Sequence, residues 1–411
     1  MKYKGLKRFG VLLCILLTAC NLSKPMRLVA ALPSDIYVTE GDMPSLSLGM
    51  ERPFSLSAQA APVGASTAER LNDAVQTMRV KLFDVLTVKR IHVHQRERIM
   101  LMPGGQSIGV ALYMPGALVV GMTSFTAING KPTSPAQTAG LKAGDIILSV
   151  NGDAVKNAAH LSQLCAHGGD TLLLTIQRED TRLDVQVRPA QAADDGLYKL
   201  GIWVRDSTAG IGTISFYDTL TLRYGALGHP VTDVDTGSLL QIGNGEISQA
   251  RVIGISYGLQ GTPGELHGAF GGAGEKIGAL RTNTEYGIFG ELYAPLSHPL
   301  YPNGVPLAYA NEVKTGDAVI LSTVDEAGVQ AFACRINKCF PQEKASGKGM
   351  IVEITDERLL STTGGIVQGM SGSPVMQNGK LAGIVTHVFV NDPSRGYCVY
   401  AEWMYEAAMS Q

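Results

Sequence analysis

The sequence predicts a mostly β chain of at least two domains. Three observations carry that expectation: 48 glycines accompany many Val, Ile and Thr residues, the chain is 411 residues long, and strand-like runs recur between glycine turns. Single hydrophobic cores stop growing near ~250–300 residues, so one domain does not suffice. After residue 190 the runs "KLGIWVRDSTAGIGTISFYD", "EISQARVIGIS", "KIGALRT", "YGIFGEL" and "DAVILSTV" follow one another at the spacing of a β barrel or sandwich. Charged residues make up 17% and the net charge is −2, which supplies no basic field for a phosphate backbone. Nucleic acid is therefore excluded as an expected partner.

At the N-terminus Lys2, Lys4, Lys7 and Arg8 precede an apolar run over 9–20, the layout of an export signal. Twelve helical residues rise only ~18 Å, short of the ~30 Å hydrocarbon core. A spanning helix would have to recruit the sequence containing Arg27. Leu17-Thr18-Ala19-Cys20 resembles the bacterial lipobox, which makes Cys20 a lipidation candidate; an ordinary signal or anchor with an incidental cysteine is the alternative. Residues 1–20 are thus expected to be a signal peptide or membrane anchor. Residues 21–95 read as a tether and lead-in with one short helix, because "SLSAQAAPVGASTAERL" is rich in Ala, Ser and Pro without a sustained period. Alternation in "VKLFDVLTVKRIHVHQRERIMLM" marks strands, and a folded unit is expected to begin near residues 80–95. Cys165, Cys334, Cys339 and Cys398 are too dispersed for a disulfide scaffold or a zinc site, although Cys334 and Cys339 could close a hairpin. No metal and no cofactor is expected.

Residues 134–155, "SPAQTAGLKAGDIILSVNGDAV", contain a short helix ending at Gly140, a Gly144-Asp145 turn into "IILSV", and Asn151-Gly152, suited to a type I′ turn. That order resembles PDZ domains. The resemblance implies a peptide-binding unit over 96–190, with "PGGQSIGVAL" as carboxylate loop and edge strand and "AAHLSQLCAHGG" as groove helix. A peptide would add as a strand beside residues 108–112, its end meeting the N–H groups of Ser107, Ile108 and Gly109. A small β domain with an empty groove is the plainer alternative.

Acyl transfer needs a hydroxyl, a base, a group that orients the base and N–H donors for the oxyanion. "GGIVQGMSGSP", residues 364–374, offers hydroxyl and donors together. Its Gly-x-Ser-Gly-x-Pro pattern resembles the nucleophile loop of chymotrypsin-like serine peptidases, which implies Ser371 as nucleophile and the N–H groups of Gly369 and Ser371 as oxyanion hole. Ser373 stands where that family has Gly, and Met370 stands where the digestive enzymes carry an activating Asp. His229 in "GALGHPVTDVDTG" precedes the serine, the chymotrypsin-like order, and is the expected base. His387 in "LAGIVTHVFV", on the strand after the serine loop, is its rival. The orienting carboxylate is expected to be Asp356 in "EITDERLL", with Asp233 and Asp235 as local alternatives. The peptidase domain is expected over 191–411.

The PDZ-like unit followed by "GHPVTDVDTG" and "TGGIVQGMSGSPVMQNGKLAGIVTHVFVNDPSRGYCVYAEWM" closely resembles, over residues 80–411, the stage IV sporulation protein B peptidases of endospore-forming bacteria. The resemblance implies a chymotrypsin-like β-barrel serine endopeptidase with His229, Asp356 and Ser371 as its triad. It implies export to the space between the two forespore membranes, self-cleavage near the N-terminus, and cutting of the inhibitory subunit of a membrane-embedded metalloprotease, which then releases a sigma factor. The PDZ unit would engage the chain's own N-terminal segment and that partner. The alternatives are a non-catalytic, membrane-tethered PDZ adaptor and a lipid-anchored envelope protein.

Overall fold

The computed structural model describes residues 98–166, 171–270, 276–342 and 345–410, with strands at 54–58 and 75–96 and scattered positions between 26 and 39. The expected signal and Cys20 lie outside the described residues. Strands β1 (Asp35–Thr39), β2 (Phe54–Ala58), β3 (Val75–Leu82) and β4 (Leu86–Arg96) form a sheet in the order β1-β4-β3-β2. Ile36, Phe54, Val80 and Ile91 form its core. The stretch expected to be a tether therefore contributes two strands. Its composition lacks a long period, yet its short segments Asp35–Thr39 and Phe54–Ala58 pair with the alternating β3–β4 hairpin, which turns through left-handed Phe83 and Asp84.

β5 (Ser107–Met122) leads into the PDZ-like unit, whose helices are α1 (Pro135–Thr138) and α2 (Ala158–Ala166). Its strands β6 (Ile146–Val150), β7 (Leu172–Arg178) and β8 (Thr181–Val187) stack on β5 in the order β8-β7-β6-β5. Ile147, Leu161, Leu174 and Ile176 fill the core between sheet and helix. The Gly144-Asp145 turn is held electrostatically: the buried Asp145 carboxylate accepts from Arg178 at 2.7 Å and from the Lys142 N–H at 2.8 Å. Asn151 and Gly152 take positive φ, as a type I′ turn requires.

The chain returns along β9 (Ile202–Tyr217) and continues through β10 (Arg223–Ala226) and β11 (Asn244–Gln249). A hairpin of β12 (Arg251–Ser256) and β13 (Glu265–Ala269) precedes β14 (Lys276–Thr284) and β15 (Gly287–Leu292). β5, β9, β10, β15, β14 and β11 close a six-stranded ring. A second closed barrel follows: β16 (Gly316–Thr323), β17 (Val329–Cys339), β18 (Met350–Ile354), β19 (Pro374–Gln377), β20 (Lys380–Phe389) and β21 (Asp392–Tyr400). Helix α3 (Glu357–Thr363) lies between β18 and β19, and α4 (Ala401–Met409) ends the described chain. Counting strands along the chain, each ring runs first, second, third, sixth, fifth, fourth. The two barrels thus share one topology. Cys165, Cys334, Cys339 and Cys398 are free thiols, so Cys334 and Cys339 close no bridge.

This pairing corrects the expected partition at residue 190. The first barrel takes its first strand from β5, before the PDZ-like unit, and its second from β9, after it, so the PDZ-like unit is nested inside the first barrel's chain segment. Both strands are 16 residues long and belong to both units. It also corrects the expected carboxylate loop. Ser107, Ile108 and Gly109 sit opposite Thr213, Gly212 and Ile211 of β9, and Ile108 and Gly109 are paired on their other side with Gln249 and Ser248 of β11. A strand paired on both edges has no backbone left for a peptide. Local sequence cannot distinguish such a strand from an edge strand. A Cβ on Gly109 would lie 2.0 Å from the Phe270 ring. Gly109→Ala is therefore expected to destabilise the first barrel by about 1–3 kcal/mol, seen in a urea titration, while leaving peptide binding by the PDZ-like unit unchanged.

Candidate active site

Two loops, one from each barrel, meet over β20. Each is the connection between the third and fourth strands of its barrel, so the shared topology alone brings them to equivalent positions. The serine loop leaves α3 through Gly364, a left-handed cap. The Ile366 N–H then donates to the Pro393 carbonyl at 2.7 Å, and Gln368 exchanges hydrogen bonds with Gly264 and Leu266 beside β13 at 2.8 and 2.9 Å. Met370 is fully buried and anchors the turn in the barrel core, which accounts for an apolar residue beside the serine. Gly369 and Gly372 have φ of 94° and 99°, open to Gly at little cost.

That turn spends some donors and spares others. The N–H groups of Met370, Gly372 and Ser373 go to Val367, Val385 and Met370 carbonyls at 3.1, 2.8 and 3.0 Å. Those of Gly369 and Ser371 have no acceptor among the described residues. Two free N–H groups flanking one hydroxyl are what a developing oxyanion requires. Thr213 of β9 fixes the loop from beneath: its Oγ1 donates to the Gly369 carbonyl at 2.8 Å and its N–H to the Ser371 carbonyl at 3.1 Å. A Cβ on Gly372 would lie 2.0 Å from the Thr213 carbonyl oxygen and 2.7 Å from the Leu227 nitrogen, so the serine and histidine loops are in contact.

His229 follows β10 after Leu227 and Gly228, both at φ 69°. Left-handed leucine is strained backbone, a condition that clusters at functional sites. A Cβ on Gly228 would lie 3.1 Å from Ile384, Val385 and Thr386 atoms, which places this loop on β20. The His229 Nδ1 lies 2.8 Å from the Pro230 carbonyl. A carbonyl only accepts, so Nδ1 carries a proton, and in the neutral ring that burial favours Nε2 keeps its lone pair, the form a general base needs. The His229 ring centroid is 5.3 Å from that of His387, and the Ser371 Oγ donates to the Thr386 carbonyl at 3.1 Å. Ser371, His229 and His387 thus gather around residues 386 and 387. Burial lowers the His229 pKa; burial, then the charges of His229 and Lys348, lower that of His387.

The three candidate carboxylates are engaged elsewhere. Asp356 is the N-cap of α3 and accepts from the Arg358 N–H, Nε and Nη2 at 3.0, 3.0 and 2.8 Å and from the Ala333 N–H at 3.0 Å. The Arg358 guanidinium, ahead of the backbone donors, holds its pKa at about 2. Asp233 and Asp235 bind Arg205 of β9. The expectation that Asp356 orients His229 is therefore corrected: Asp356 ties α3 to β17, and the Pro230 carbonyl is the group on the imidazole. "TDER" at the start of a helix is an N-cap signal. Thr213, Thr386 and Asn283 were not anticipated. Asn283 of β14 donates to the Val231 and Leu240 carbonyls at 2.7 and 2.9 Å and accepts from the Val231 N–H at 2.9 Å, clamping the His229 loop. No local pattern in "RTNTEYG" marks it. Among the described residues no three His, Cys, Asp or Glu side chains group to hold a metal ion.

Because a general base acts when neutral and burial lowers the His229 pKa, the acid limb of kcat/KM is expected to fall below the unperturbed value of ~6.5, with activity rising as pH passes through it. A limb centred above 6.5 in a pH–rate profile would contradict this burial. Asp356→Asn, which still caps a helix, should keep kcat within about threefold, while Asp356→Ala should lower stability by about 1 kcal/mol. A loss of several orders of magnitude in Asp356→Asn would restore the carboxylate to the triad.

The PDZ domain family matches residues 126–178. Over 60 residues the chain is 38% identical to serine protease HTRA1 of Xenopus tropicalis, a match spanning 15% of this chain and 13% of that relative. The Rv3671c protease of M. tuberculosis in its active form is 18% identical, with 48% of this chain and 72% of that chain covered and a TM-score of 0.25. The PDZ domain of an SdrC-like protein from Listeria monocytogenes is 21% identical, covering 22% of this chain and 87% of that chain with a TM-score of 0.18. The family described as SpoIVB peptidase S55 matches residues 196–405, just over half of the chain, and the chain belongs to that family: it is a serine peptidase with a PDZ domain.

Proposed function

We propose that this chain is an exported serine endopeptidase that cleaves itself near its N-terminus and cuts the inhibitory subunit of a membrane-embedded metalloprotease, the step that leads to sigma-factor processing during sporulation. The sporulation role is supported by the name of its family. Export, and attachment through an N-terminal anchor or a lipid on Cys20, are supported by the basic and apolar pattern of residues 2–20. No helix among the described residues is long and apolar enough to cross a membrane. The location proposed is the intermembrane space of the developing forespore.

The observation that carries the peptidase reading is the pair of unspent N–H groups at Gly369 and Ser371, beside a hydroxyl and within reach of a loop bearing a neutral imidazole. In the mechanism the His229 Nε2 takes the Ser371 proton as Oγ attacks the peptide carbonyl. The two N–H groups receive the oxyanion, and His229 then protonates the leaving amine. Water repeats the sequence on the acyl-enzyme. A substrate backbone has a docking edge in residues 386–389 of β20, whose pairing with β19 ends at Ile384. A substrate N–H that takes the Thr386 carbonyl displaces Ser371 Oγ from it and frees the hydroxyl for His229. The peptide groove of the PDZ-like unit lies between α2 and residues 198–206: these pack on α2, Asp206 caps it by accepting from the Ala158 N–H at 2.8 Å, and Gly201 turns with φ 75°. Its ligands would be the chain's own N-terminal segment and the partner subunit.

Purified Ser371→Ala and His229→Ala are each expected to lose self-cleavage by about 10⁴–10⁶, without additivity in the double variant. Mass spectrometry of the N-terminus and fluorophosphonate labelling read this out. Trimming by Ser371→Ala at the wild-type rate would overturn the assignment, and a wild type that binds peptide but never labels would be the adaptor instead.

A further inference from the structure

Arg205 lies where β9 passes from one unit to the other. Before it, Ile202, Trp203 and Val204 pair with Met122, Gly121 and Val119, and β9 packs on α2, where Asp206 caps Ala158. From Ser207 onward the strand belongs to the first barrel. Between these halves the register jumps from Arg205 opposite Leu118 to Ser207 opposite Tyr113, so residues 114–117 bulge out of β5 against Asp206 alone. Bulges bend a strand and re-aim its side chains. Here the re-aimed side chain is Arg205, whose Nη1 binds Asp233 and whose Nη2 binds Asp235 at 2.6 Å, both in the loop that carries His229.

Asp233 is 1% exposed, and its second oxygen accepts from the Asp235 N–H at 3.1 Å and from the Thr236 N–H and Oγ1 at 2.9 and 3.1 Å. Without Arg205 that carboxylate is a buried charge lacking its counter-ion, and the loop must open to hydrate it. Asn283 clamps the same loop from β14. Further along β9, Thr213 fixes the serine loop. One strand therefore edges the peptide groove, grips the base's loop and supports the oxyanion turn.

We propose that Arg205 is a positioning residue that ties the groove edge of β9 to the His229 loop, so that a peptide strand lying on residues 202–206 alters the reactivity of Ser371. The proposal rests on the peptidase and groove readings above. Arg205 touches no reacting atom and acts through Asp233 and Asp235. The groups beside His229 are the Pro230 carbonyl and the His387 ring of β20, on which Lys348 acts in turn, and the two carboxylates that Arg205 neutralises lie four and six residues further along the same loop. Removing the guanidinium leaves these carboxylates uncompensated and lets water in. Both changes favour the imidazolium, so the His229 titration moves to higher pH.

The test uses the full chain, with fluorophosphonate labelling of Ser371 followed against pH and the histidines followed by NMR. Arg205→Gln is expected to label about 10- to 100-fold more slowly, with its pH limb and the His229 titration shifted upward. Arg205→Lys, able to reach one carboxylate, and Asp235→Asn, which removes only the more exposed one, should fall between. A ten-residue peptide ending in valine with a free carboxylate serves as groove probe, and Trp203, 65% exposed on the groove strand, reports its binding by fluorescence. The probe should change the wild-type labelling rate at least about fivefold, leave that of Arg205→Gln unchanged, and lose its effect when amidated. Wild-type labelling and His229 titration in Arg205→Gln would overturn the proposal. So would a wild-type labelling rate that stays constant while the Trp203 signal saturates. A wild type that never labels, but whose His229 titration shifts in Arg205→Gln, would count against the peptidase reading and uphold the tether.

Discussion

Backbone pairing between β5 and β9 runs from Ser107 opposite Thr213 to Met122 opposite Ile202, displaced where residues 114–117 bulge and again, by one residue, at Val120. This ribbon supplies the first two strands of one barrel and the last strand of the PDZ-like sheet, and it packs on α2. The serine loop rests on it through Thr213, and the histidine loop is pinned to it through Arg205. A one-residue slip would turn every inward side chain outward in two units at once, so its register is held from both ends.

The chemistry of the site is mostly backbone chemistry. A carbonyl meets the imidazole, two amides at Gly369 and Ser371 have no acceptor among the described residues, and another carbonyl holds the Ser371 hydroxyl. Main-chain groups of barrel loops cannot swing away as side chains do, so the cost of arranging them is met during folding and not at each turnover. The carboxylates nearby serve structure instead, each closed by an arginine.

The serine turn and the histidine were legible because their signals are local: glycines where φ is positive, a histidine in a Gly-led loop, and the order of the two along the chain. The helix, turn and strand of the PDZ-like unit were legible for the same reason. What escaped was non-local. "QSIGVAL" alternates in the same way whether it edges a groove or runs through the middle of a barrel, and only the partners on both sides of Ile108 decide. The nesting of one unit in the other is invisible for that reason, since it depends on β5 finding β9 across the whole intervening unit. At Asp356 the local signal is that of a helix cap, closed by Arg358 two residues on, and nothing local distinguishes that carboxylate from one that orients a distant histidine.

The nested arrangement has a consequence for how the barrel assembles. Closing a disordered loop of roughly 80 residues costs about 4 kcal/mol of chain entropy, a penalty that falls on any first strand waiting for a distant second one. Here that loop is a unit with its own core, centred on Ile147 and Leu174. Once it folds, Met122 and Ile202 already stand side by side, and the long connection behaves kinetically as a tight hairpin turn. The PDZ-like unit is then a folding template for the peptidase as well as a neighbour of it, and an insertion that looks like a burden on contact order becomes the device that shortens it.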